Sequence, residues 1–330
     1  MSERGKSDRA ARAFPAFLIF AILAAPWPLV AGPLEAVVGV RATVPGDART
    51  AVVLGTQREG SGVVIGADGL VLTIGYLILE AESAEVLLPD EKAVPAEIVA
   101  YDYDTGFGLL RPLAPLGIKH MPLGRSAQLD AHSEVLVASF DAAGSASPAY
   151  VVSRREFAGY WEYLLPNAIF TAPPHHAYGG AGLIGPDGRL LGIGSLLVSD
   201  AVVDSRMPGN MFVPIDALRP ILADLLERGR SAKAPRPWLG IYAEEMHGRV
   251  FVRRVASYGP AADAGVAAED IILAVKGAPV TSLADFYRKV WALGNAGVEV
   301  PLTVLRGAGL AEIGVTSGDR YKYLKLKRSY

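Results

Sequence analysis

From residue 34 onward the sequence consists of short apolar segments separated by glycine and Asp-Gly pairs, and this pattern constrains the fold more than any other feature. The stretch GSGVVIGADGLVLT (60–73) places an Asp-Gly pair between apolar runs, which predicts two strands joined by a tight turn. Similar strand-like segments follow, namely AEVLLPD, VPAEIVAYD, GFGLLRP, EVLVASFD and AYVVSRRE. Helical periodicity is scarce before residue 214, so this part of the chain is predicted to be mainly β.

The phrase around the first Asp-Gly pair returns once, because VIGADGLVL (64–72) and LIGPDGRLL (183–191) share the same turn residues. Two similar β-barrels in tandem would produce such a match, and so would chance, since Asp-Gly turns are common. A helix is predicted over 214–229, where one face carries Ile215, Leu218, Ile221, Leu222 and Leu225.

A third unit begins after the proline-bearing stretch RSAKAPRP (230–237), which reads as a linker. From Trp238 the pattern predicts strands at VFVRRV, DIILAVKG, VPLTVL and AEIGVT. It also predicts a short helix at GPAADAGV and a longer helix at SLADFYRKVWAL (282–293).

The N-terminus combines basic residues with an apolar run, AFPAFLIFAILAAPWPLV (13–30). This arrangement predicts that residues 1–33 are an export signal or an uncleaved membrane anchor. Either one places the body of the protein in the periplasm or cell envelope, and an anchor would hold it at the inner membrane. The chain has no cysteine, which excludes disulfides, thiolate metal sites and cysteine nucleophiles. Its formal net charge of −2 gives no indication of nucleic-acid binding.

Residues 35–316 resemble the HtrA/Deg family, in which a trypsin-like double six-stranded β-barrel precedes a PDZ domain. The segments GSGVVIGADGLVLT and AYGGAGL carry the resemblance in the barrels, and WLGIYA (238–243) carries it in the PDZ domain. The resemblance implies a barrel domain at 34–222, a linker at 223–236, a PDZ domain at 237–316 and a basic C-terminal tail at 317–330.

The resemblance also places the family's catalytic histidine, aspartate and serine at Tyr76, Gly106 and Gly179. Tyr76 has no imidazole, Gly106 no carboxylate and Gly179 no hydroxyl, and these are the groups that the chemistry requires at the three positions. Two observations support this loss without an alignment: no histidine occurs in residues 1–119, and no serine occurs in residues 154–194. We interpret Tyr76 as filling the space of the missing imidazole.

Other candidate residues favour structural interpretations. We expect the His175–His176 pair to lie on a loop surface and not to hold a metal ion, and no cofactor is predicted. Asp102 and Asp104 are predicted to form a turn, and Ser195 to be a packed strand residue.

A PDZ domain binds an extended peptide as an added strand and cradles its terminal carboxylate with backbone N–H groups. The resemblance assigns the cradle to Leu239, Gly240 and Ile241, and the lining of the peptide pocket to Phe286, Tyr287 and Val290. The segment RYKYLKLKRSY (320–330) is open to three interpretations: an exposed edge strand, a contact with anionic lipid, or a ligand for a neighbour's PDZ groove that ends at Tyr330.

These observations predict an exported pseudoprotease that binds polypeptide C-termini or unfolded proteins as an adaptor, chaperone-like or regulatory protein. An active HtrA-like relative is a hypothetical partner, and a homotrimer is an assembly that the resemblance suggests. The alternative is an active HtrA-like periplasmic serine endopeptidase in protein quality control. A third interpretation is a purely structural envelope component.

Overall fold

The computed structural model describes residues 34–90, 92–140 and 146–326. The predicted signal or anchor at 1–33 lies outside these ranges, as does Tyr330, for which a role as a PDZ ligand was considered. Within the described ranges no helix has both the length and the apolar character needed to cross a membrane.

The first barrel closes from six antiparallel strands in the order β1-β2-β3-β6-β5-β4. Its strands are β1 (Val37–Thr43), β2 (Gln57–Val64), β3 (Val71–Ile74), β4 (Ser83–Leu87), β5 (Ala93–Tyr101) and β6 (Phe107–Pro112), with a one-turn helix α1 (Ala51–Leu54) between β1 and β2. The Asp-Gly turn joins β2 to β3 as predicted, and Asp68 accepts a hydrogen bond from the Leu70 amide at 3.3 Å.

The second barrel closes in the order β10-β11-β12-β9-β8-β7. Its strands are β7 (Glu134–Ala138), β8 (Ala146–Gly159), β9 (Tyr163–Ala172), β10 (Gly182–Ile184), β11 (Leu190–Val198) and β12 (Gly209–Pro214). The repeated phrase forms the β10–β11 turn here, between the fourth and fifth strands, whereas in the first barrel it joins the second and third. The predicted tandem arrangement of two barrels is therefore confirmed. The two phrases nevertheless form different hairpins, so their similarity reflects common turn chemistry.

One hydrophobic cluster is shared by the two barrels, and a separate cluster lies within the second barrel. Leu72, Phe107 and Leu109 of the first barrel belong to the same buried cluster as Phe170 and Val213 of the second. Burial of each such side chain contributes about 1.5–3 kcal/mol, so the barrels stabilise one another and fix the cleft between them.

The helix predicted over 214–229 is divided. A 3₁₀ turn covers Ile215–Ala217, and helix α2 covers only Leu222–Arg228. Pro220 explains the break, because a proline excludes helical geometry from the residue before it and removes a backbone donor. Helix α2 ends at Gly229, as predicted.

The PDZ unit is a sheet in the order β13-β14-β15-β17-β18, with β16 paired to β15. Its elements are β13 (Ile241–Met246), β14 (Arg249–Val255), α3 (Pro260–Asp263), β15 (Ile271–Val275), β16 (Ala278–Pro279), α4 (Leu283–Trp291), β17 (Glu299–Arg306) and β18 (Gly309–Thr316). The predicted long helix is confirmed as α4, and Ser282 caps it by accepting a hydrogen bond from the Asp285 amide at 3.0 Å.

The edge-strand interpretation of residues 320–330 is wrong for the described part of this segment. Residues Arg320–Tyr323 form a single helical turn, α5, because Asp319 accepts a hydrogen bond from the Tyr321 amide and caps it. The ring of Tyr321 packs 4.7 Å from that of Tyr103 in the first barrel, and the ring of Tyr323 packs 4.4 Å from that of Trp238 in the PDZ unit.

Candidate functional site

A cleft of about 1170 Å³ runs between the two barrels. Tyr76 comes from the turn after β3 and Gly179 from the loop between β9 and β10, and both line the cleft. The Tyr76 hydroxyl donates to the Ser195 carbonyl oxygen at 3.0 Å. A methyl group placed on Gly179 would lie 2.9 Å from that hydroxyl. The structure therefore brings these two predicted positions face to face.

Gly106, the third predicted position, is hydrogen-bonded to the turn that carries Tyr76. Its carbonyl oxygen accepts from the amide of Gly75, the neighbour of Tyr76, at 2.7 Å. Asp102 does not replace the missing carboxylate, because its oxygen accepts from both the amide and the hydroxyl of Thr105, at 2.9 and 2.7 Å. The turn predicted for this stretch is confirmed.

The Tyr76 phenol is a poor acid or base in this setting. Burial is the main cause that raises its pKa above the ordinary value, and the neighbouring Tyr178 adds to the effect. The phenol therefore stays protonated at neutral pH and serves as a hydrogen-bond donor to Ser195.

The surface interpretation of the histidine pair is wrong for His175, which is only 7% exposed. Its ring nitrogens lie 2.9 Å from the Ser139 hydroxyl and 3.2 Å from the Ser147 hydroxyl, so the ring is held by polar partners inside the second barrel. His176 is exposed and lines the cleft. Over the described residues no group of three His, Cys, Asp or Glu side chains is arranged to hold a metal ion.

Ser195 is a packed strand residue, as predicted. It lies in β11, where it is 4% exposed, and its carbonyl oxygen is the acceptor for Tyr76. Its side chain therefore has little access to the cleft that Tyr76 and Gly179 line.

The backbone amides of the three predicted cradle residues converge on a side chain of the same chain. The carboxylate of Glu162 accepts hydrogen bonds from the amides of Leu239 at 3.0 Å, Gly240 at 2.6 Å and Ile241 at 2.8 Å. Glu162 lies at the tip of the β8–β9 hairpin of the second barrel. Sequence analysis missed this residue, and the only signal for it was a bulky, acidic tip where a tight hairpin usually has glycine or asparagine.

The same hairpin contacts the PDZ unit beside the cradle. Tyr160 accepts a hydrogen bond from the Ala243 amide of β13 at 2.9 Å. The Tyr287 hydroxyl donates to the Gly159 carbonyl at 2.8 Å and accepts from the Glu162 amide at 3.2 Å. Of the three predicted pocket residues on α4, Tyr287 thus faces the hairpin, whereas Phe286 and Val290 are buried in the PDZ core (0% and 1% exposed).

Burial raises the pKa of the Glu162 carboxyl to about 6, and this effect outweighs the three amide hydrogen bonds and the charge of Arg320, which lower it. Arg320 of α5 also donates to the Trp161 carbonyl at 3.2 Å. Burial likewise raises the pKa of the Tyr287 hydroxyl, with a further contribution from the charge of Glu162. The ionisable carboxyl group at the hairpin tip is therefore enclosed by the cradle at the start of β13, by Tyr287 of α4 and by Arg320 of α5.

Residues 60–193 match the protein family described as "Trypsin-like peptidase domain", and residues 237–316 match the family described as "PDZ domain". A solved structure, the HtrA-type protease AlgW with a decapeptide, superposes with a TM-score of 0.53 at 20% identity over 88% of this chain and 97% of that one. The chain therefore has the fold and the domain order of HtrA-type proteases. The serine endoprotease from Yersinia pestis shares the fold of this HtrA-type chain, with a TM-score of 0.53 at 22% identity over 88% of this chain and 96% of that one.

Curated relatives of this HtrA-type chain include a probable periplasmic serine endoprotease, DegP-like, of Pseudomonas fluorescens. That protein is 26% identical over 284 residues, which are 79% of this chain and 56% of the relative. Serine protease HTR4 of Rattus norvegicus is 26% identical over 289 residues, with the same coverage of 79% and 56%. The HtrA-type chain thus spans little more than half the length of these relatives.

Proposed function

We propose that this chain is an HtrA-type protein that binds polypeptides and does not cleave them. One observation carries the proposal: Tyr76 and Gly179 face each other in the cleft, where peptide cleavage needs an imidazole and a hydroxyl. Glycine has no nucleophile, and a phenol with a raised pKa is not a general base at neutral pH. Removal of the triad from such a fold leaves only about 10³–10⁴-fold catalysis over water.

Polypeptide binding is supported by two features that remain. The cleft between the barrels is large enough for an extended chain segment, and its lining carries apolar and polar groups together, among them Leu77, Phe140, Arg41, Glu59 and His176. The PDZ cradle has the three amides that bind a carboxylate. The solved AlgW structures contain a decapeptide or a tripeptide, and this supports a peptide ligand for the present chain.

The proposal places the protein in the periplasm, because several relatives are named periplasmic endoproteases. Anchoring by residues 1–33, assembly as a homotrimer and association with an active HtrA-type relative extend the same proposal. In that setting the chain acts as an adaptor, a chaperone-like protein or a regulatory subunit.

The test uses the purified full chain with a fluorescent fluorophosphonate, which labels reactive serines, and with unfolded casein. An active HtrA-type protease is the positive control, and a heat-denatured sample of this chain measures background labelling. We expect no labelling above background, no casein cleavage, and binding of labelled casein by fluorescence anisotropy. Labelling that requires the native fold would establish the alternative, an active endopeptidase. A complete lack of casein and peptide binding would instead favour a structural envelope component.

A further inference from the structure

We propose that the β8–β9 hairpin is a built-in ligand of the PDZ domain, in which the Glu162 carboxylate takes the place of a peptide's terminal carboxylate and closes the groove to free C-termini. The inference rests on the proposed peptide-binding function and adds its regulation. A chain terminus reaches the cradle only after the hairpin has left it.

The hydrogen bonds of the carboxylate are those that a peptide terminus would need. Both oxygens of Glu162 are engaged, one by the Leu239 amide and the other by the amides of Gly240 and Ile241. These three donors are the residues that the sequence assigns to the cradle. Because the three amides converge on one carboxylate, a second carboxylate cannot bind there at the same time.

The hairpin also blocks the place where a peptide backbone would pair. Strand β13 forms one edge of the PDZ sheet, and its free side is where β-strand addition occurs. The Ala243 amide of β13 already donates to the Tyr160 carbonyl of the hairpin. Tyr287 holds the hairpin from the α4 side through Gly159 and the Glu162 amide. The hairpin thus occupies both the carboxylate-binding position and the backbone-pairing position that a peptide ligand would use.

The backbone of Glu162 argues that its carboxylate has a role beyond the turn. Its φ of +57° lies in the left-handed region, where glycine or asparagine is favoured and a residue with a longer side chain is strained. Such strain persists where surrounding contacts hold it in place. Here those contacts are the cradle amides, so the turn alone does not account for a glutamate at this position.

Burial makes Glu162 and the cradle amides depend on one another. Glu162 is 6% exposed, and a buried carboxylate is costly unless hydrogen bonds compensate for its lost water. The cradle amides of Leu239 and Gly240 are also buried and need an acceptor. Hairpin and cradle satisfy each other, which stabilises the closed arrangement until a competing carboxylate replaces Glu162.

The test compares the full chain with its Glu162→Ala and Glu162→Gln variants, and with Glu134→Gln as a matched control. Glu134 is an exposed glutamate of the same barrel, on β7, away from the hairpin tip. The probe is a library of fluorescein-labelled decapeptides with apolar last residues, each made with a free or an amidated C-terminus. We expect both Glu162 variants to bind the best free-acid peptides roughly tenfold or more tightly than the unchanged chain and Glu134→Gln do, because closure reduces the competent fraction. The same substitutions should raise the affinity for amidated peptides much less.

Hydrogen exchange without any peptide gives a second, independent measurement. In Glu162→Ala the amides of Leu239, Gly240, Ile241 and Ala243 should exchange faster than in the unchanged chain, while the core of the PDZ sheet keeps its protection. Equal exchange and equal peptide affinity in all four proteins would overturn the closure. Faster exchange with no peptide binding by any variant would support the closure and contradict the proposed peptide-binding function.

Discussion

Adding one methyl group at Gly179 tests whether Tyr76 has taken over the centre of the cleft. In Gly179→Ala the new Cβ lies 2.9 Å from the Tyr76 hydroxyl oxygen and 3.9 Å from the ring carbon that carries it. The φ of Gly179 is outside the left-handed region, so the backbone accepts alanine and the hydroxyl alone is in the way. To make room, the hydroxyl must shift, which strains its 3.0 Å bond to Ser195.

The magnitude follows from two contributions. Overpacking of this kind costs about 1–3 kcal/mol, and weakening of the buried hydrogen bond costs at most about 1 kcal/mol. The gain from replacing glycine by alanine in the unfolded chain is about 0.4–1 kcal/mol, which offsets part of this. We therefore expect Gly179→Ala to lower the free energy of unfolding by about 1–3 kcal/mol.

The assay is a double-mutant cycle with Tyr76→Phe, measured by urea unfolding with tryptophan fluorescence. Phenylalanine removes the one atom within 3.5 Å of the new methyl group that the described residues supply, chain neighbours of Gly179 aside. In that background Gly179→Ala should be neutral or slightly stabilising, which gives a coupling energy of about 1–3 kcal/mol. An equal cost in both backgrounds would refute the reasoning, because the methyl group would then not meet the Tyr76 hydroxyl. A serine restored at position 179 faces the same obstacle unless Tyr76 is also changed.

Two further predictions concern acidity and a close backbone approach. The closed hairpin raises the pKa of Glu162 from 4.5 to about 6, so closure is strongest at low pH and is weakened as pH rises through about 6. Lowering the pH from 7 to 5 should therefore weaken free-acid peptide binding to the full chain roughly eightfold, whereas Glu162→Gln should lose this dependence in the same anisotropy titration. Among the groups that contact the hairpin tip, burial raises the pKa of the Tyr287 hydroxyl above its ordinary value and so away from this pH range. Gly180→Ala places a methyl group 1.9 Å from the Ser61 carbonyl oxygen at a φ of +78°, so urea unfolding should show a loss of about 3 kcal/mol or more. Gly46→Ala should change little, because among the described residues, chain neighbours aside, no atom lies within 4 Å of the new Cβ.

The sequence predicts the parts of this fold that depend on local chemistry. The Asp68 turn and the Ser282 cap each involve residues two or three positions apart, so a short window of sequence contains all the partners. The facing pair of Tyr76 and Gly179 was also predicted, through the motif that surrounds each position. The divided helix was predictable in principle, because Pro220 stands inside the expected helical stretch.

The contact between Glu162 and the cradle depends on residues far apart in the chain. Glu162 precedes Leu239 by 77 positions, and a charged residue at a hairpin tip normally faces water. His175 likewise finds its polar partners far away in the chain, at Ser139, which follows β7, and at Ser147 in β8. Periodicity and composition carry no information on such pairings, so these two features required the structure.

The C-terminal segment fixes how far the PDZ domain can move when the hairpin is released. The Lys325 amide donates to Glu80 of the first barrel at 2.8 Å, and Tyr323 packs on Trp238, so a second attachment exists besides the linker. A ligand tethered this closely acts at an effective concentration on the order of millimolar. A free C-terminus at micromolar concentration therefore competes poorly with Glu162. A polypeptide that fills the cleft and the PDZ groove together has the same bivalent advantage, and the chain would select such ligands over isolated termini.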